Sequence, residues 1–190
     1  MDKIILASGS PRRRQLLEWA HIPFEVFAAD IDETPPAGLA PEVLPAFLAE
    51  KKAQAVAARF PGKTILAADT IVLSANEILG KPRDAAHAQE ILQKLSGKMH
   101  RVLTGVCLLR EQKSEVFTRT TEVYFRPLTE EQIDFYIREY QPFDKAGAYA
   151  IQEYIGLVGI EKINGDYYNV MGLPVGEVVA WLRLFHETSL

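Results

Sequence analysis

Residues 64–73 read Thr-Ile-Leu-Ala-Ala-Asp-Thr-Ile-Val-Leu, a β-rich run that is almost entirely apolar. Such a run predicts a central strand covered on both faces, because a half-solvated strand would alternate apolar with polar residues. The elements around it agree. Residues 3–7 and 24–28 read as short strands flanking a helix. A second helix spans 44–60, closed by Pro61-Gly62. Asp84 caps a helix carrying Ala88, Ile91, Leu92 and Leu95, ended at Gly97. Two β-rich stretches, 101–109 and 115–125, read as antiparallel neighbours across a polar turn at 111–114. Thr129 and Gln132 form a capping box for a helix presenting Ile133, Tyr136, Ile137 and Tyr140. Residues 155–163 read as a strand, Asn164-Gly165 as a turn, and Leu173-Pro174 as the lead into a last amphipathic helix. Strand–helix units mixed with hairpins predict an α/β fold with a mixed sheet. One chain-wide unit of two lobes with a cleft between them is expected.

The segment Leu6-Ala7-Ser8-Gly9-Ser10-Pro11-Arg12-Arg13-Arg14 joins the first strand to the first helix. Ser10 suits the N-cap, and Pro11 suits the first helical position, where a missing N–H costs nothing. Three arginines then crowd the end of a helix that is already partly positive, an arrangement that an arriving anion stabilises. With the hydroxyls of Ser8 and Ser10, the flexible Gly9 and the exposed amides, they compose a phosphate cradle. A solvated basic turn is the plainer alternative. Arg12 and Arg13 are expected to be dispensable for stability on the cradle reading, since they oppose their own helix dipole.

Asp69 places a carboxylate in the middle of an apolar strand. Buried without a partner it would be costly, so it calls for a cation, a hydrogen-bond donor or a metal. Lys81, in Gly80-Lys81-Pro82, and the helical Lys51 and Lys52 could equally be solvated surface charges, as could Glu33 in the acidic loop 30–36. The histidines show no zinc-ligand spacing, and no G-x-S-x-G, Walker A or G-x-G-x-x-G motif is present. Carboxylates, several cations and a helix N-terminus are what remain. That set matches metal-assisted attack of water on a phosphoryl centre.

The chain has 190 residues, 48% hydrophobic and 24% charged, with a net charge of −4. A net-acidic protein lacks the broad basic field that nucleic-acid polymers or membrane surfaces require, whereas local basic residues suit a small polyanion. The single cysteine, Cys107, lies in an apolar run and reads as a buried thiol in a reducing compartment. No signal-peptide pattern or membrane-spanning run is evident, so a cytoplasmic location is expected.

Taken in order, Ser8-Gly9-Ser10-Pro11-Arg12-Arg13, Glu33, Lys52-Ala53, Ala68-Asp69-Thr70-Ile71-Val72, Gly80-Lys81-Pro82-Arg83-Asp84 and Leu95-Ser96-Gly97 resemble the Maf family of nucleoside triphosphate pyrophosphatases. The segments Asp144-Lys145-Ala146-Gly147-Ala148-Tyr149-Ala150-Ile151-Gln152 and Ile163-Asn164-Gly165-Asp166-Tyr167-Tyr168-Asn169-Val170-Met171-Gly172-Leu173-Pro174 extend the likeness over nearly the whole chain. The resemblance implies a mixed, strongly twisted α/β sheet in two lobes around a central cleft, as in inosine-triphosphatase-like proteins, forming one domain over residues 1–190. It implies cleavage between the α and β phosphates with a divalent cation, Mg²⁺ or Mn²⁺. Asp69 would be the proton acceptor, and Glu33 a second carboxylate that holds metal with Asp69 or positions water. Arg12, Arg13, Lys52 and Lys81 would bind phosphate. Asp69-Thr70 and Gln152 resemble the dTTP/UTP branch, with Arg12, Thr70 and Gln152 as specificity positions. A branch acting on methylated GTP, and a nucleotide-binding regulator of septum formation, are the alternatives. A homodimer is implied by the resemblance alone.

Overall fold

The structure is a computed structural model describing residues 3–187. Strand β1 (Ile4–Leu6) lies parallel to β2 (Phe24–Val26) on one side and to β3 (Ile65–Ser74) on the other. Parallel neighbours need long crossovers. Helix α1 (Pro11–Trp19) supplies the one between β1 and β2, and α2 (Leu44–Ala57) lies between β2 and β3. A short β4 (Glu77–Leu79) pairs antiparallel with β3. Strands β5 (Met99–Arg110) and β6 (Lys113–Phe125) are joined by Glu111 and Gln112 alone, a connection only antiparallel neighbours can make. β7 (Ile160–Asn164) runs antiparallel to β6, which completes the strand order β2-β1-β3-β5-β6-β7. The expected α/β fold with a mixed sheet is therefore present.

The remaining helices are α3 (Ala85–Leu95), α4 (Glu130–Tyr140), α5 (Tyr154–Gly159), α6 (Tyr167–Met171) and α7 (Val175–Glu187), with a 3₁₀ turn at Ala146–Ala148. Asp84 caps α3, and Thr129 with Gln132 closes the capping box of α4, both as expected. The strand expected over 155–163 is corrected: its first half is α5, and only its end joins β7. An apolar run alone does not separate helix from strand. The fold-back that opens α5 relies on a glycine, because a Cβ on Gly156 would come within 1.7 Å of the Ile151 carbonyl oxygen. The chain can fold back against that carbonyl only if residue 156 has no side chain. The 3₁₀ turn, β4 and α6 are too short to carry a periodicity in the sequence.

The chain divides into two compact units. The first contains residues up to Asp69, Thr104–Arg119 and those from Gly172 onward. Its core joins Ile5, Ile65, Ala67 and Cys107 of the sheet, with Ala7 just beyond β1, to Ala49, Ala53 and Val56 of α2. α2 approaches closely because its inner face is small and because β5 carries Gly105 beneath its first turn. A Cβ at Gly105 would sit 2.1 Å from the Pro45 carbonyl carbon. Cys107 is buried there, and burial pushes its thiol up to about 12, so it stays protonated and unreactive.

The second unit comprises Thr70–Leu103 and Thr120–Met171. Its core includes Ile91, Leu92 and Leu95 of α3, Ile133 and Tyr136 of α4, and Val102, Val123 and Phe125 of the strands. His100 is buried within it, edge-on to Phe125 and Tyr149, and bonded through Nε2 to the Tyr149 hydroxyl at 2.7 Å. Burial drops the imidazole to about 3. Its folded value lies below its ordinary 6.5, so the neutral ring is favoured in the fold. The stability this contributes is complete above pH 6.5 and is lost as pH falls toward 3. The melting temperature of the wild type should accordingly fall between pH 7 and pH 5 by more than that of His100→Phe. Equal slopes for the two proteins would show that the ring is not held neutral.

No helix among the described residues is long and apolar enough to cross a membrane.

Candidate active site

Lys52 is the single charged residue on the buried face of α2, flanked by Leu48, Ala49, Ala53 and Val56. Its Nζ lies 2.6 Å from Asp69 Oδ1 and 2.7 Å from Glu33 Oε1, so one ammonium bridges both carboxylates. The Lys52 and Asp69 side chains are only 11% and 15% exposed, whereas Glu33 is 56% exposed. Helix phase thus selects between the adjacent lysines. Lys51, one step round the helix, instead donates to the Asp32 carbonyl at 2.6 Å. Asp32 Oδ1 in turn accepts from Thr34 N at 2.9 Å, which shapes the acidic loop around Glu33.

At the start of α1, Ser10 is the N-cap, and its Oγ accepts from Arg13 N. Ser8 Oγ accepts from Ser10 N at 3.3 Å and from Arg13 Nη1 at 2.9 Å, so this hydroxyl has only its proton left to give. Arg13 does not project from the helix end in the way the basic cluster suggested. It is buried, with Nη1 also donating to the Ala68 carbonyl and Nε to the Gly172 carbonyl, each at 2.8 Å. It therefore ties α1 to β3 one residue before Asp69 and to the chain entering α7. Burial lowers its guanidinium to about 10, Asp69 and Glu33 draw it upward, and Arg12 draws it downward. Arg13 remains a cation at neutral pH, within the electrostatic reach of both carboxylates. Arg12 is half-buried, and the exposed Arg14 leans back on the Gly9 carbonyl at 3.4 Å.

The first unit thus brings together Ser8, Ser10, Arg13, Glu33, Lys52 and Asp69. Thr70, Lys81 and Gln152 belong to the second unit. Thr70 follows Asp69 directly on β3 and is half-buried, while Lys81 and Gln152 are exposed. The Lys81 turn is fastened to the segment that leads to Gln152, because Gly147 N donates to the Gly80 carbonyl at 3.1 Å. Gly147 has φ 70°, and a Cβ there would meet Val72 Cγ2 at 2.8 Å, so only glycine fits. Asn169, within the matched segment Ile163–Pro174, is fully buried and donates to the Val102 carbonyl and Thr121 Oγ1, both at 3.1 Å, which makes it a structural support. Sequence reasoning did not single out Lys145, Tyr136 or Glu153. Lys145 stood inside the matched segment Asp144–Gln152, but no local pattern marks it as buried.

One ammonium bridging two carboxylates, beside a buried arginine on a mixed α/β sheet, is the densest charged cluster described above. The Ham1 protein of Staphylococcus aureus has a similar fold, with a TM-score of 0.52 at 16% identity over 100% of both chains. The family model described as Maf-like protein matches residues 3–185, and the chain belongs to this family. The dTTP/UTP pyrophosphatase of Cytophaga hutchinsonii is 51% identical over 98% of this chain and 86% of its own length. That of Bacillus cytotoxicus is 50% identical over 97% of this chain and 96% of its own length.

Proposed function

We propose that this chain hydrolyses dTTP and UTP to the nucleoside monophosphate and pyrophosphate, clearing such nucleotides from the cellular pool. The carrying observation is the Lys52 ammonium held between Asp69 and Glu33, in a chain about half identical to relatives named for that activity. Asp69 takes a proton from the attacking water. The water oxygen bonds to the α-phosphorus, the bond from that phosphorus to the α–β bridging oxygen breaks, and pyrophosphate departs with the electron pair. Lys52, Lys81 and Arg12 neutralise phosphate charge, and the Ser8 proton donates to a phosphate oxygen. Arg13 shapes the cradle and adds its field. Gln152 offers a donor and an acceptor to the acceptor–donor–acceptor edge of a pyrimidine dione, with Thr70 beside the base.

Glu33 and Asp69 are the residues that would hold a divalent cation, and their two carboxylates already share one cation in Lys52. Among the described residues no cluster of three or more His, Cys, Asp or Glu could hold a metal by itself. Two carboxylates with substrate phosphates and water nevertheless suit Mg²⁺ or Mn²⁺. When bound, the ion would offset charge on the phosphates and acidify the attacking water. The reading places the protein in the cytoplasm, as a homodimer, with no nucleic-acid polymer or membrane as partner.

Incubation with a nucleotide panel and Mg²⁺ or Mn²⁺, followed by separation of phosphorus products, tests this. Monophosphate and pyrophosphate should form in equal amounts, with dTTP and UTP comparable and ATP and GTP much poorer. Release of orthophosphate would overturn the reaction, methylated GTP as best substrate would overturn the branch, and binding without turnover would favour the regulator.

A further inference from the structure

Gln152 is one of the two central residues of a tight turn. Glu153 N donates to the Ala150 carbonyl at 3.1 Å, which leaves Ile151 and Gln152 at the tip. Both ends of that turn meet the same atom. Ala150 N donates to the Tyr136 hydroxyl oxygen at 3.1 Å, and the Tyr136 hydroxyl donates its own proton to Glu153 Oε2. Tyr136 comes from the buried face of α4, is fully buried, and stacks on Tyr140 with ring centroids 5.0 Å apart. The other Glu153 oxygen, Oε1, lies 3.5 Å from the Nζ of Lys145, which also contacts Asp144 at 3.1 Å. Lys145 is itself buried. On the far side of the turn, α5 starts at once, with Leu157 N donating to the Glu153 carbonyl at 3.2 Å and Gly156 lying against the Ile151 carbonyl.

We infer that Tyr136 is a positioning residue for base selection: its hydroxyl, backed by Glu153 and Lys145, fixes the turn that displays Gln152. A phenol that accepts from one end of a turn and donates to the other sets the separation of those ends, and so the direction of the side chain at the tip. The rigidity comes from a buried ring, which has no rotamer freedom to lose when substrate arrives. An exposed amide on an unclamped turn would read the same base edge with the added cost of ordering the turn. The geometry therefore assigns discrimination to a shell behind the base-reading residue. This inference rests on the proposed role of Gln152.

The test compares Tyr136→Phe, Glu153→Gln and Gln152→Ala with the wild type, measuring kcat and KM separately for dTTP and ATP, with a thermal melt of each protein. Tyr136→Phe keeps the ring and its packing but removes both hydrogen bonds to the turn. It should raise KM for dTTP by about tenfold, the scale of one net hydrogen bond, with a smaller change in kcat. ATP should lose less, so the dTTP preference shrinks. A purely structural role would lower the melting temperature and change both substrates alike, leaving the dTTP preference intact. If Tyr136→Phe does not fold, Glu153→Gln takes its place: it keeps an acceptor for the phenol, drops the charge facing Lys145, and should lower the preference about threefold, less than a lost hydrogen bond. Should Gln152→Ala erode selectivity while Tyr136→Phe, or Glu153→Gln in its stead, leaves it intact, the positioning role is wrong and the base reading stands. Unchanged selectivity in Gln152→Ala overturns both.

Discussion

Asp69→Asn should lower dTTP turnover by about two to four orders of magnitude, the range for loss of a general base, while triphosphate binding persists or tightens. The amide keeps the shape of the carboxylate and still offers an oxygen to Lys52, whose Nζ sits 2.6 Å from Oδ1 in the wild type. Proton acceptance is lost, together with a negative charge that repels the substrate. Single-turnover kinetics combined with calorimetric titration of dTTP separates the two effects. Wild-type turnover in the variant would make Asp69 a structural partner of Lys52 and leave the chain as a nucleotide-binding regulator. Failure to bind at all would mean that the carboxylate–ammonium pair organises the site before any substrate enters.

Arg13→Ala is the second large effect, and it falls on stability. Three hydrogen bonds from a buried guanidinium disappear, stranding the Ala68 and Gly172 carbonyls, while the desolvation cost of the charge is relieved. The net loss should be about 3 kcal/mol, equivalent to roughly 6–12 °C in melting temperature for a chain of this size. Arg12→Ala, at a half-buried position, should melt within about 2 °C of the wild type, as most substitutions outside the core do. Chemical and thermal unfolding without nucleotide checks both. Equal stability of the two variants would restore the view of these arginines as a pair held ready for an anion.

That contrast shows what was legible in the sequence. The cap, the proline and the start of α1 depend on neighbouring residues, and Ser10, Pro11 and the helix appear where local chemistry puts them. The fate of Arg13 depends on Ala68 and Gly172, which approach it from 55 and 159 residues away. No local pattern announces carbonyls arriving from such distances. Asp69 was visible because a carboxylate in an apolar strand demands a partner. The resemblance chose Lys52 over Lys51, but the residues themselves separate the two only once the phase of α2 against the sheet is known. The turn at Gln152 was hidden for a related reason, since its clamp, Tyr136, belongs to a helix whose apolar periodicity already accounted for that ring as core.

The contact between Gly105 and the first turn of α2 bears on how this site tolerates change. Where helices rest on sheets through branched side chains, ordinary drift in the core moves the helix by fractions of an ångström as volumes are exchanged. Here the main chain of α2 at Pro45 rests on a strand position without a side chain, with Ala49 and Ala53 following along the same face. The height of the helix above β5 is set by backbone meeting backbone, and backbone dimensions do not vary from one sequence to another. The Lys52 ammonium hangs from that fixed rail. Neighbouring core positions can therefore wander over generations without retuning the gap between ammonium and carboxylate, and the glycine beneath the helix bears the constraint on behalf of them all.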